Sequence, residues 1–357
     1  MHKKLFIPGP VDVREDVLQK MATPQISHRG KEATELQERI SKRMQKLMFT
    51  ENDIILSTTS GSGLMEMAVK SLTKKRAAVF SVGAFGDRWF KMCTANGIPA
   101  DKFKSETAAP TTPEMVEEAL ATGKYDVVTV THNETSTGIM NPVGEIAKVV
   151  AKYPEVMFCV DTVSSLGGAK VPVDEWGIDM CITSTQKCLG LPAGLAIASV
   201  SNRAYERAKT VENRGLYLDL VEVVDKVRSA YQYPSTPSLA HMFALDYQLE
   251  QIVEVEGIEN RFNRHFEMAE VVRAWADKHF KMLPERQYAS NTLTTMWNTK
   301  EISVADLNKE LAKRGWMISN GYGDLKEKTF RIAHMADTQM ETLQELLREI
   351  EDILGLE

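Results

Sequence analysis

Two ionisable residues stand at the ends of apolar runs. Lys187 follows Ile178-Asp-Met-Cys-Ile-Thr-Ser-Thr-Gln, a stretch that closes in small hydroxyl residues. Ligands of open α/β sheets gather at the carboxyl ends of strands. A lysine held there, its pKa lowered by burial, can form a Schiff base with a carbonyl. Taken alone, it reads equally as a solvated turn residue. Asp161 closes the run Met157-Phe-Cys-Val-Asp. A carboxylate in that place can pair with a protonated pyridine nitrogen, or it can cap a helix.

Three more segments offer complementary chemistry. In Ile55-Leu-Ser-Thr-Thr-Ser-Gly61-Ser62-Gly63 a strand pattern runs into a turn of small residues and then a helical pattern. Such a turn lets backbone amides and the helix dipole reach a phosphate, although a plain tight turn has the same look. It lacks the Gly-Lys-Ser/Thr ending of a nucleotide loop. Phe85, between Gly83 and Gly86, can stack on a flat ligand or fill a core. Thr131-His-Asn-Glu-Thr135-Ser-Thr-Gly138 supplies hydroxyls and a carboxylate, or simply a polar helix-capping loop. The joint order is more telling than any one piece. Cradle, aromatic, hydroxyl loop, aspartate and lysine each follow a strand pattern, so one sheet crevice can hold them all.

The positioning elements follow from the apolar pattern. Ile54–Ser57, Ala77–Ser81, Asp126–Thr131, Met157–Asp161, Asp179–Thr183 and Leu195–Val200 are short, rich in Val and Ile, and mostly not alternating. That texture suits central strands buried on both faces. Helical stretches lie between them, at Ala33–Met48, Pro113–Ala121 and Gly144–Lys152. Leu36, Ile40, Met44 and Leu47 form one stripe of the first. The alternation predicts an α/β domain with a mainly parallel sheet. Beyond Ser238 a helical region runs through Leu239–Phe280, broken near Gly257. Strand pieces follow at Thr292–Trp297 and Thr329–Ile332, then a last helix with Met340, Leu343, Leu347, Ile350 and Leu354 on one face. Thr338 and Glu341 are spaced as a capping box for it.

With 357 residues, the chain has room for about two domains. Its 43 basic against 49 acidic residues argue against a nucleic-acid binder, which needs a basic surface. Cys93, Cys159, Cys181 and Cys188 form no metal-ligand spacing, and Cys159 and Cys181 read as buried thiols of a reducing compartment. No metal is expected. The N-terminus carries no signal-peptide pattern, and no apolar run is long enough to span a bilayer. A cytoplasmic protein without membrane contact is the expectation.

These segments resemble a class V aminotransferase of fold type I, in the serine–pyruvate and alanine–glyoxylate branch. The likeness also rests on Pro8-Gly-Pro10, Ser27-His-Arg-Gly30, Gly83-Ala-Phe-Gly-Asp-Arg88, Val160-Asp-Thr-Val-Ser-Ser-Leu-Gly-Gly168, Ser184-Thr-Gln-Lys187 and Lys328-Thr-Phe-Arg-Ile-Ala-His-Met335. It runs nearly end to end. It implies a large domain with a mainly parallel seven-stranded sheet, over 21–255, that binds pyridoxal 5'-phosphate. A smaller C-terminal α+β domain covers 256–357, joined by an N-terminal segment over 1–20. Lys187 then carries the cofactor and Asp161 pairs with its ring nitrogen. Val163 and Phe85 pack on opposite ring faces. Ser62, Gly63, Leu64 and Gln186 bind the phosphate or the lysine turn, and Thr135 reaches the phenolic oxygen. Tyr233 and Thr236 are the residues that a neighbouring subunit sends to the phosphate, which implies a homodimer with shared sites. Arg331 anchors the substrate α-carboxylate, with Gly9 close by. Two departures stand out. Leu64 replaces a polar or small residue, and Ala333 replaces the usual glycine after Arg331-Ile332.

The implied reaction is a ping-pong transamination from serine or alanine to glyoxylate or pyruvate. His28 and Arg29 leave an alternative open, because a similar Ser-His-Arg stretch of phosphoserine aminotransferases helps bind the substrate phosphate. A structural pair is the other reading of them. Cysteine desulfurases share the lysine–aspartate pair but need a catalytic cysteine in a C-terminal loop, and no cysteine lies beyond Cys188.

Overall fold

The computed structural model describes residues 2–357. In chain order its strands are β1 (Lys4–Phe6), β2 (Asp53–Ser57), β3 (Ala77–Ser81), β4 (Ala100–Lys104), β5 (Val127–Thr131), β6 (Asn133–Glu134), β7 (Ile139–Met140), β8 (Met157–Asp161), β9 (Met180–Ser184), β10 (Ala196–Val200), β11 (Lys281–Met282), β12 (Leu293–Trp297), β13 (Trp316–Asn320) and β14 (Thr329–Ala333). Among the described residues, β2, β10, β9, β8, β5, β3 and β4 form a seven-stranded sheet in that order. β10 runs antiparallel to both neighbours, and the other pairs are parallel.

Strands β3, β5, β8, β9 and β10 are buried along their whole length. Helices cover both faces, so these strands carry continuous apolar runs instead of alternation. The helix Lys31–Met48 lays the stripe of Leu36, Ile40, Met44 and Leu47 into the same core. β4 is an edge strand with Asp101, Lys102 and Lys104, charges that blunt an open edge and hide it from an apolar-run reading. The chain leaves β3 toward β4 and leaves β5 toward β8 and β9, in opposite directions across the sheet. The crevice beyond that reversal is where doubly wound sheets hold ligands.

A second sheet has the order β1, β13, β14, β12, β11. β1 pairs parallel with β13, so a three-residue strand from the start of the chain completes a sheet otherwise built beyond residue 280. Phe6 joins Trp316, Ile318, Phe330 and Leu343 in a core separate from that of the large sheet. The helix Leu239–Glu250 continues as a π-helical turn, Gln251–Glu256, and stops at Gly257, where φ is +84°. The helix Ile258–His279 then sets out from the expected break. It contributes Phe262 to the first core and Met268, Val272 and Trp275 to the second.

The last helix, Met340–Leu354, buries Leu343, Leu346, Leu347 and Ile350. The expected capping box is not formed. Gln339 holds the N-cap position without a side-chain bond. Thr338 instead turns its hydroxyl back onto the Met335 carbonyl at 2.7 Å, inside the turn that precedes the helix. All four cysteines are buried and unpaired. Among the described residues no helix is long and apolar enough to cross a membrane, and no group of metal-ligating side chains occurs.

Candidate active site

β8 and β9 run side by side in parallel. Asp161, the last residue of β8, and Lys187, just past the end of β9, both line a cavity of about 330 Å³, together with Gly9, Ser62, Phe85, Arg88, Val163 and Gln186. Lys187 is 9% exposed. Burial pulls its ammonium down to about 8, because desolvation disfavours the charged form. Its Nζ donates to the Pro8 carbonyl. Gly9 has a φ of +107°, and a Cβ there would come within 2.7 Å of the Lys187 side chain. Glycine at that position therefore gives the lysine its passage.

Asp161 is buried, and desolvation pushes its carboxyl up to about 6. One oxygen accepts the Val163 N–H at 2.8 Å. The rest of its accepting capacity meets no protein donor among the described residues. The helix Gly61–Leu72 opens into the cavity with no side-chain cap and no acidic residue in its first turn. A Cβ on Gly61 would strike Val163 at 2.7 Å, so this turn can approach closely only as glycine. Ser184 Oγ and Gln186 Oε1 are buried without a hydrogen-bond partner, and both residues line the cavity. Buried polar atoms are ordinarily satisfied. A waiting acceptor, two orphaned polar atoms, a bare helix N-terminus and a desolvated lysine fit a flat group with a protonated ring nitrogen, an aldehyde and an anionic tail. Pyridoxal phosphate is such a group.

Phe85 opens the helix Ala84–Ala95. Its position is set by Glu134, which is fully buried. One Glu134 oxygen accepts the N–H groups of Phe85 and Gly86 at 3.0 and 3.1 Å. The other accepts the N–H and hydroxyl of Ser136 at 3.0 and 2.6 Å. The loop after β5 is thereby fixed to the helix after β3. Thr135, buried in that loop, shares a 2.6 Å hydrogen bond with Ser164 and does not line the cavity.

Arg331, on β14, joins the two sheets. Its Nη1 donates to the Thr135 carbonyl at 3.0 Å, and Nε and Nη2 donate to the Asn320 carbonyl at 3.1 and 2.9 Å. A guanidinium has five N–H donors. One on each terminal nitrogen therefore remains without a partner among the described residues. Burial lowers Arg331 to about 10, which leaves it charged at neutral pH. The Tyr322 ring lies 5.7 Å from its guanidinium carbon and 6.1 Å from the Phe85 ring.

Other predicted residues lie elsewhere. Gly63 donates its amide to the Ser60 carbonyl at 2.9 Å, and Leu64 points into the large core, so both flank the cradle without lining the cavity. Arg29 donates to the Tyr233 and Pro234 carbonyls. Tyr233 is buried, and its hydroxyl accepts the Leu56 N–H at 3.2 Å. Thr236 is exposed and shares with Tyr233 a separate crevice beside Leu56, Thr58 and Tyr217. Within the single chain none of His28, Arg29, Tyr233 and Thr236 lines the Lys187 cavity. Arg88, Glu134, Ser184 and Tyr322 are site residues that the motif reading did not single out. The signal for Arg88 was its spacing of three from Phe85, which puts the two on one helix face. Tyr322 carried none.

Comparison with known proteins matches the geometry. The family described as Aminotransferase class-V matches residues 14–340. An uncharacterized aminotransferase of Methanocaldococcus jannaschii is 39% identical over 341 residues, covering 93% of this chain and 88% of the relative. The serine–glyoxylate aminotransferase of Methylorubrum extorquens is 30% identical over 351 residues, covering 93% and 86%. The crystal structure of an alanine–glyoxylate aminotransferase from Nostoc sp. superposes with a TM-score of 0.93 at 24% identity, over 99% of this chain and 96% of that one. With the cavity, its lysine and its aspartate described, the conclusion is direct: the chain belongs to the class-V aminotransferases and is a pyridoxal-phosphate-dependent transaminase of fold type I.

Proposed function

We propose that this transaminase moves the amino group of serine or alanine onto glyoxylate or pyruvate, in two half-reactions through one site. The observation that carries this reading is the pair of Arg331 N–H groups without a protein partner, beside the Tyr322 ring that neighbours Phe85 of the cavity lining. A guanidinium with one open donor on each terminal nitrogen suits a carboxylate taken through two parallel bonds. The Tyr322 ring, 6.1 Å from the Phe85 ring, would bound a substrate side chain on one side, which supports a small amino acid.

Pyridoxal phosphate supplies the electron sink that makes the α-proton of an amino acid removable. The remaining work belongs to side chains. Lys187, partly neutral near pH 8, takes the proton from the α-carbon and returns it on the cofactor side as a general base and acid. Asp161 holds the proton on the ring nitrogen through its waiting acceptor. Phe85 and Val163, which line the cavity, would hold the ring between them, and Thr135 would reach the phenolic oxygen on releasing Ser164. Ser62 and Gln186 serve the phosphate. A homodimer would add Tyr233 and Thr236 from the neighbouring subunit. Thr236 is already exposed for that purpose, whereas Tyr233 would first release the Leu56 amide.

The phosphoserine reading loses support from Arg29, whose guanidinium donates to main-chain carbonyls of its own chain. A desulfurase reading needs a reactive thiolate. Cys188 is buried and its thiol is pushed up to about 11 by desolvation, the profile of an inert thiol. The test is a single-turnover panel on cofactor-loaded protein with serine, alanine, phosphoserine and aspartate, following the loss of visible cofactor absorbance. Serine or alanine should react at least ~10-fold faster than phosphoserine. Faster conversion by phosphoserine would overturn the proposal and make His28 and Arg29 the phosphate clamp.

A further inference from the structure

We propose that Arg88 is the cation that balances the phosphate of the cofactor. Arg88 lines the same cavity as Lys187, Asp161, Ser62 and Gln186. Its Nη1 donates to Ser62 Oγ at 2.9 Å, at the open N-terminus of the helix Gly61–Leu72. Its guanidinium carbon stands 4.7 Å from the centre of the Phe85 ring. The charge is close enough to oppose protonation of Lys187 and to favour ionisation of Asp161.

Charge balance makes the argument. A phosphate monoester carries nearly two negative charges at neutral pH. A helix N-terminus offers the equivalent of about half a positive charge. The first turn of that helix, Gly61-Ser62-Gly63-Leu64, has no cationic side chain, and Leu64 is committed to the core. Burying an unbalanced anion is costly. Of the cationic side chains lining the cavity, Lys187 is the one reserved for the reacting carbonyl, which leaves Arg88. Arginine fits the task, since its planar fork matches a phosphate in geometry and stays charged when partly desolvated. The spacing is economical too. Phe85 and Arg88 lie three residues apart on one helix, so a single element sets both the ring platform and the counter-charge. The guanidinium lies against Phe85 and the Ser62 hydroxyl, at the mouth of the cradle.

The experiment compares two probes that differ only in the phosphate. Cofactor-free wild type, Arg88→Met and Arg88→Lys are titrated at equilibrium with pyridoxal phosphate and with pyridoxal, reading visible absorbance and quenching of tryptophan fluorescence. Arg88→Met should weaken pyridoxal phosphate about 10–100-fold, the range of a hydrogen bond to a charged group, and leave pyridoxal within about twofold. Arg88→Lys should recover part of the loss. Thermal unfolding of the cofactor-free variants separates a folding defect from a binding one. Equal weakening of both probes would assign Arg88 to the support of Phe85 alone, and unchanged binding of pyridoxal phosphate would remove it from the site. Either result overturns the proposal. Both leave Lys187 and Asp161 as the machinery of the transaminase.

Discussion

Arg261 and Arg331 are both buried arginines, 1% and 7% exposed, yet their surroundings follow opposite rules. Arg261 donates from Nε to the Gly167 carbonyl at 3.0 Å and from Nη2 to the Cys188 carbonyl at 2.8 Å. Its Nη1 meets Glu256 at 2.7 Å and Asp337 at 2.9 Å. Arg264 and Gln248 bind those same two carboxylates from other sides. The cluster therefore ties the turn after Lys187 to the segment beyond Asp161 and to the loop beyond Arg331. Around the cavity the accounting is incomplete instead. Asp161 receives one protein donor, Arg331 keeps two N–H groups free, and Ser184 and Gln186 each bury an unpartnered atom. The contrast teaches how to read buried polarity in this fold. Arg261 is balanced by two carboxylates of its own chain, whereas Arg331 meets only carbonyls among the described residues, which leaves its charge for a ligand.

The sharpest way to break that contrast is Arg261→Met. It takes from Asp337 its arginine partner and from Glu256 one of two, so unfolding in urea should show a loss of roughly 3–5 kcal/mol. An unchanged midpoint would mean the cluster is not the scaffold it resembles.

Asp161→Asn should act in the reverse direction on the cofactor-free chain. The folded carboxyl is pushed up to about 6 from 3.8, so the folded state binds more protons across that window. Stability then falls as pH rises through the window, and the penalty is complete above about pH 6. Asparagine removes the penalty while still accepting the Val163 amide. The variant should gain at most about 3 kcal/mol at pH 7.5, gain almost nothing near pH 4, and lose transamination. Denaturation at the two pH values measures it, and a less stable variant at pH 7.5 would contradict the reading of Asp161 as a strained, waiting acceptor.

Arg331→Ala should have the smallest effect of the three. The donor KM should rise about 10–100-fold as the two charged hydrogen bonds go, with cofactor affinity nearly unchanged. Steady-state kinetics with serine or alanine check it, and an unchanged KM would put the carboxylate anchor elsewhere.

The parts legible in the sequence share a physical cause. β3, β5, β8 and β9 are buried on both faces, so they print as short apolar runs, and the chemistry begins where each run ends. Lys187, Asp161, Ser62 and Phe85 stand out in the sequence that way, whereas Val163 and Gln186 enter only through the resemblance to the family, and all six line the cavity. Short or edge strands left no such print. β1 has three residues, and charges interrupt β4. Residues whose meaning lies in distant partners were also hidden. Arg261 gains its role from Gly167, Cys188 and Asp337, and Glu134 gains its role from Phe85 across the crevice. Thr338 misled because its spacing to Glu341 suits a cap while its hydroxyl prefers the Met335 carbonyl of the preceding turn.

The central claim is that the desolvated Lys187 amine carries the chemistry, and Lys187→Ala tests it most directly. The variant should still take up pyridoxal phosphate, without the visible absorbance of the lysine-linked cofactor. Its transamination should fall by at least the 10²–10⁴-fold that a positioned general base supplies. Wild-type turnover in a correctly folded Lys187→Ala protein would contradict the account at its root.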